Sequence, residues 1–242
     1  MTPFGSSRIE SVDAVGMRIE ERRWAFAEEQ AQAIDRHWEK LKGANPHLFN
    51  GRVFLNFERA VIEEKGRRVL TGVAAAVDFK AFLAWRDFGF PDADARNCFA
   101  MAALRSADGA FVMGRMSETT ANAGKVYFPA GTPDLGDVCD GRLDLEGSVT
   151  RELLEEMGSS AGETACEPGW RVVFEGPRIA CMKAVRSPLP ARGIEARFSA
   201  FAAGEAHPEF CALHMAYGEG DLLEGLMPDF LLRYLRDEFS RS

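Results

Sequence analysis

The chain is predicted to be α/β. Strand-like apolar runs dominate its centre and helix-like patterns alternate around them. Hydrophobic residues make up 46% of its 242 positions, enough to bury a substantial core. No internal repeat or low-complexity tract interrupts this pattern.

Residues 17–43 are rich in Glu, Arg, Ala and Gln, with Trp24, Ile34, Trp38 and Leu41 as apolar points. They predict one long amphipathic helix, stopped by Gly43 and then Asn45-Pro46. Residues 53–62 and 69–77 predict two strands joined through Glu63-Glu64-Lys65-Gly66. Asp78 is placed to cap a short helix through Phe79, Phe82, Leu83 and Trp85, ending near Gly89. The polar connection 91–96 divides the chain into an N-terminal α+β extension (1–90) and a core with C-terminal helices (91–242).

In the core, residues 98–104 and 110–116 flank Ser106-Ala107-Asp108-Gly109, a hairpin signal. Residues 125–128 form a short strand entering Pro129-Ala130-Gly131, followed by a long polar loop, 132–143. A helix over 145–157 ends at Gly158. Residues 170–174 and 178–185 predict a strand pair, 194–203 a helix and 210–216 a strand. Residues 222–239 predict a helix broken at Pro228.

The formal charge is −8, from 29 Lys plus Arg against 37 Asp plus Glu. This balance argues against binding nucleic acid or an anionic membrane, both of which require a basic surface. No run approaches ~18 apolar residues, so no membrane-spanning helix is expected. Residues 1–23 lack the apolar segment of a signal peptide. The five cysteines are scattered and form no Cys-x-x-Cys pair, so reduced thiols and a cytoplasmic location are expected.

The chemistry concentrates in Arg151-Glu152-Leu153-Leu154-Glu155-Glu156-Met157-Gly158. On a helix, Leu145, Val149, Leu153 and Met157 form one apolar stripe, with Glu152 and Glu156 aligned beside it and Glu155 one step round. Three carboxylates on so narrow an arc repel one another. They also lie toward the helix C-terminus, where the dipole disfavours anions. Arg151 cannot neutralise all three, whereas a hard divalent cation with oxygen ligands can. Taken alone, the octet fits a solvated acidic face better, since charge runs usually face water.

The octet resembles the second half of the Nudix box. That pattern is Gly, five residues, Glu, seven residues, then Arg-Glu-aliphatic-x-Glu-Glu-x-Gly-aliphatic. Arg151, Glu152, Leu153, Glu155, Glu156 and Gly158 fall on motif positions. Phe128-Pro129-Ala130-Gly131 is similar to the strand-to-loop entry of the box, and Asp144 stands where the family caps its catalytic helix. Three positions depart: Leu143 stands for the upstream glutamate, Asp137 for the first glycine, and Ser159 for the final aliphatic. A lengthened loop between Gly131 and Asp144 accounts for this, with Gly131 as the displaced glycine. Asp134, Asp137, Asp140, Asp144 and Glu146 are then candidates for the missing acid, Asp134 foremost and Asp144 last. The resemblance covers about Cys98 to Val185. The extension, with Asn45-Pro46-His47-Leu48-Phe49, is similar in layout to a Nudix branch that acts on UDP-sugars.

The resemblance implies an α/β/α sandwich with a mixed sheet and a Mg²⁺-dependent pyrophosphohydrolase, Mn²⁺ being an alternative metal. The substrate would be a small nucleotide, a nucleoside diphosphate linked to another moiety, and a homodimer is an assembly open to such a chain. Glu152, Glu155, Glu156 and the Ala130 carbonyl would be metal ligands, and Arg151 would orient the glutamates. Gly131 and Asp134 would lie against the substrate. A later carboxylate, one of Glu195, Glu205, Glu209 or Glu219, would complete the site. The competing expectation, left open by Leu143, is a catalytically inactive ligand-binding or regulatory module. Other signals are weak. Gly218-Glu219-Gly220 is a fragment of a dinucleotide fingerprint, Gly124-Lys125 lacks the rest of a phosphate loop, and the four histidines have no ligand spacing. Trp85-Arg86-Asp87 is a minor candidate for contact with a base.

Overall fold

Two short strands, β1 (Arg8–Val12) and β2 (Ala14–Ile19), begin the ordered elements of the computed structural model, which describes residues 4–118, 120, 122–160 and 162–241. Helices α1 (Ala25–Glu29) and α2 (Ala31–Ala44) follow, so the single helix expected from residue 17 starts only at Ala25. Residues 14–19 are drawn into a sheet instead. Met17 is buried opposite Gly72, and the strand is paired on both sides. Only residues 17–19 of the expected helix fall in this strand, where Met17 and Ile19 pair with β4, and the Glu- and Arg-rich residues 20–23 follow it outside any helix.

Strands β3 (Arg52–Glu64) and β4 (Arg67–Asp78) form the expected hairpin. It turns at Lys65-Gly66, both at positive φ, as a two-residue hairpin turn requires. Helix α3 (Phe79–Asp87) starts at Asp78, but the Asp78 side chain makes no capping bond. Asn50 supplies that bond, its Oδ1 accepting from the Lys80 N–H at 2.8 Å. Trp24, Ile34, Trp38, Leu55, Phe82 and Trp85 build a core under these helices.

The rest of the chain runs β5 (Asn97–Arg105), β6 (Phe111–Met116), β7 (Val126–Tyr127), β8 (Ala130–Gly131), β9 (Val138–Cys139), β10 (Arg142–Leu143) and α4 (Leu145–Met157). It continues with β11 (Ala165–Cys166), β12 (Trp170–Glu175), β13 (Arg178–Arg186), α5 (Ala191–Ala202), β14 (Phe210–Ala216) and α6 (Asp229–Phe239). Only the second half of the helix expected over 222–239 forms. Pro228 stands at its N-cap, where a missing N–H costs nothing.

Both sheets are mixed. The larger has the order β1-β12-β13-β5-β6-β14, with β13 and β5 parallel. The smaller has the order β3-β4-β2-β10-β9, with β2 and β4 parallel. The larger sheet is buried on both faces, and β5 shows how. Cys98, Ala100, Ala102 and Leu104 face the layer of α4 and α5, while Phe99, Met101 and Ala103 face α6. The fold is thus a layered α/β structure. The chain crosses the division at residues 90/91 twice: β1 joins the larger sheet beside β12, and β10 joins the smaller beside β2. No described helix is long and apolar enough to cross a membrane.

Candidate active site

Helix α4 spans the expected residues because its ends are chemically marked. Asp144 Oδ1 accepts from the Gly147 N–H at 2.9 Å, and Gly158 turns left-handed at φ 64°. Leu145, Val149, Leu153 and Met157 are all buried against the larger sheet. That docking draws Glu152 and Glu156 under cover, at 7% and 4% exposure, while the Glu155 side chain remains 56% exposed.

Each buried carboxylate has a fixed neighbour. Glu156 Oε2 accepts from the Ala130 N–H at 2.9 Å, and Glu152 Oε1 lies 2.9 Å from Arg151 Nη2. Strand β8 passes so close that a Cβ on Gly131 would sit 2.3 Å from Glu152 Oε1, so any larger residue would displace the Glu152 carboxylate. Arg151 also donates to Glu155 at 3.0 Å and to both Asp137 oxygens at 3.0 and 3.1 Å.

The candidates for the missing acid are thereby sorted. Asp137 reaches the arginine, not Asp134, whose Oδ1 accepts from the Gly136 N–H at 2.7 Å in the turn before β9. Asp137 closes the same turn by accepting from the Asp134 N–H at 2.9 Å. Asp144 is occupied as the helix cap, and Glu146 pairs with the buried Lys183 at 3.1 Å. Asp140 lies in a tight turn at φ 48°. Among the later acids, Glu209, just before β14, is the one close enough to Glu156 to raise its carboxyl. Its sequence neighbours carry no motif, so only the pairing of β14 with β6 brings it here.

Burial raises the Glu152 carboxyl to about 7, against the pull of Arg151 and with the help of the Glu155, Glu209 and Asp137 charges. Burial likewise lifts Glu156 well above its ordinary value, aided by Glu152 and Glu209 and opposed by the Ala130 N–H. Ser148 Oγ and Arg151 Nε, on the same helix, are buried with no hydrogen-bond partner. Among the described residues no three His, Cys, Asp or Glu side chains are already arranged to hold an ion.

A cavity of about 220 Å³ opens beside these groups, lined by Ala130, Gly131, Thr132 and Glu156. Phe79, Phe82 and Arg86 of α3 line it too, so the N-terminal region supplies part of its wall. Asn97, Tyr127 and Arg178 also line it. Trp85 is fully buried with its indole N–H on the Asp92 carbonyl at 3.1 Å, which leaves Arg86 as the member of that triplet that meets the cavity.

No family model matches the chain, and no curated protein matches it. Solved structures similar to it include a Nudix hydrolase from M. smegmatis, RenU, at 11% identity and TM-score 0.38 over 60% of this chain and 84% of that one. A MutT protein from Methanosarcina mazei Go1 is similar at 20% identity and TM-score 0.41, over 60% of this chain and 94% of that one. DR0079 from Deinococcus radiodurans is similar at 20% identity and TM-score 0.29, over 47% of this chain and 76% of that one. The likeness to each is one of fold.

Proposed function

We propose that the protein is a Mg²⁺-dependent pyrophosphohydrolase of Nudix type. It would cleave the diphosphate bond of a nucleoside diphosphate linked to a further group, a nucleotide sugar being one such substrate. The observation that carries this reading is the buried pair Glu152 and Glu156, with Glu209 near them and Glu156 lining a cavity. Buried acids with so little neutralising charge are costly to keep ionised. Their donors are hard oxygens, and a divalent cation removes both the repulsion and the desolvation penalty, so the residues fit Mg²⁺ or Mn²⁺.

Glu152, Glu156 and Glu209, with Glu155 at the rim and the Ala130 carbonyl, would hold the ion. A bound ion there supplies charge neutralisation for the phosphate oxygens and makes an attacking water more acidic. The chain's own groups do the positioning. The Ala130 N–H fixes one Glu156 oxygen, and Gly131 leaves the room that Glu152 occupies. Arg151 ties Glu152 and Glu155 to Asp137, so the acids keep their spacing when charged. Arg86 and Arg178 place positive charge in the cavity walls, suited to a phosphate ester. Phe79, Phe82 and Tyr127 add apolar surface to the same walls.

The alternative of an inactive binding module rested on Leu143. Leu143 is part of the core, and Asp137 brings a carboxylate to Arg151 in its stead, which supports the enzyme reading. The test is release of phosphate or nucleoside monophosphate from UDP-sugars, ADP-ribose, dinucleoside polyphosphates, coenzyme A and oxidised dNTPs. Turnover of at least one with Mg²⁺, abolished by chelator, is expected. Saturable binding of these ligands without turnover would replace this reading by the binding module.

A further inference from the structure

A second cavity, of about 210 Å³, lies on the far side of Arg178 and is lined by four arginines: Arg8, Arg59, Arg96 and Arg178. They come from β1, from β3, from the residue before β5 and from the start of β13, so the two sheets jointly assemble the group. No stretch of sequence announces it.

This concentration runs against the charge of the chain, which is −8 overall. Arg8 pairs with Glu10 at 2.7 Å. Among the described residues no carboxylate lies within ion-pair distance of Arg59, Arg96 or Arg178. Arg59 reaches the Asp94 carbonyl at 3.4 Å rather than its carboxylate. Arg96 is 4% exposed; its guanidinium bonds the Ala93 and Ala95 carbonyls and stacks over Phe4 at 4.4 Å. Its backbone is pinned to Asn56 by two bonds of 2.8 Å, so the charge is held in place by the fold. Burial, and then the neighbouring Arg59 charge, lowers the Arg96 pKa to about 10, and burial lowers those of Arg59 and Arg178 too. Cations crowded and desolvated in this way oppose folding unless an anion completes them. Guanidinium forks match phosphate oxygens in geometry as well as charge.

We propose that this arginine-lined cavity is a binding site for a phosphoryl group. Arg178 lines both cavities, so the site adjoins the candidate active site through one shared side chain. The inference stands apart from catalysis, since it needs neither the glutamates nor a metal ion. The phosphoryl group has two sources: free orthophosphate, or the phosphate of a nucleotide that reaches past Arg178.

Isothermal titration of the full chain, at constant ionic strength and without divalent cation, separates them, with orthophosphate in one arm and uridine diphosphate in the other. Saturable binding is expected in at least one arm, weakened about tenfold or more by Arg59→Gln and by Arg8→Gln, as for loss of a charged hydrogen bond. Arg192→Gln, an exposed arginine of α5, should leave binding unchanged. Binding of orthophosphate identifies the free anion, and binding of uridine diphosphate alone identifies the nucleotide as the source. If Arg59→Gln fails to fold, Arg8→Gln decides, because Arg8 lies at the surface. The proposal is overturned if neither ligand saturates, or if the two variants bind as tightly as the parent.

Discussion

Replacing Arg151 by methionine keeps an unbranched stem and removes the guanidinium with its charge, which tests the centre of the candidate site without replacing a glutamate. The Asp137 side chain is only 1% exposed and loses two hydrogen bonds, of 3.0 and 3.1 Å, keeping only the Asp134 N–H. Stranding a buried carboxylate costs about 3–5 kcal/mol. Because the Arg151 side chain is 32% exposed, water reaches the gap, and the lower end of that range is expected. Asp137→Asn leaves Arg151 its two glutamates and should cost about 1–2 kcal/mol. Since the two residues share one interaction, the double variant should fall short of the sum by about 1–3 kcal/mol. Urea unfolding with chelator present measures each figure. In a thermal scan of a chain this size, each kcal/mol corresponds to about 2–4 °C. Additive losses, within ~0.5 kcal/mol, would show that Asp137 and Arg151 do not depend on one another.

Glu156→Gln should lower turnover at least ~100-fold while leaving the melting temperature in chelator unchanged or higher, because it removes repulsion rather than packing; equal kcat in variant and parent would remove Glu156 from the site. Gly131→Ala places a Cβ 2.3 Å from Glu152 Oε1, so weaker Mg²⁺ binding is expected by titration, and unaltered affinity would show that Glu152 can shift freely. In the metal-free protein Glu152 holds its proton more tightly than the ordinary value of 4.5, at about 7. Its contribution is therefore full below pH 4.5 and lost as pH rises through 7, to the extent of about 3 kcal/mol. The parent should accordingly lose stability relative to Glu152→Gln over that window, and Mg²⁺ should restore it; a difference constant with pH contradicts the assignment. Removal of residues 1–89 strips β1 from the larger sheet, β2, β3 and β4 from the smaller and α3 from the cavity, so an insoluble or inactive product is expected, and a soluble, fully active fragment would show this region dispensable.

The helix that carries the candidate site was legible because α4 writes its own limits locally: a capping aspartate, a stripe at helical spacing and a terminal glycine. The β3–β4 hairpin was legible for the same reason. What escaped depended on partners distant in the chain. Residues 17–19, the start of the expected helix, are drawn into a strand because β4 and β10 flank them. Asp134 and Asp137 look alike in sequence, and the turn between them decides which one faces Arg151. Glu209 could not be ranked above Glu195, Glu205 or Glu219, since its closeness to Glu156 arises from the register of β14 on β6.

The placement of β1 has a consequence for how the molecule is made. Arg8 pairs with Phe174 and Val12 with Trp170, strands separated by roughly 160 positions of chain. At translation rates of about 5–20 residues per second, the first strand waits on the order of 10–30 s for its neighbour to be synthesised. During that time its backbone donors and acceptors remain open to other chains. Pairings of such long sequence separation also slow refolding. Arg8 and Glu10 put charge on this waiting strand, which discourages edge-to-edge association until β12 arrives.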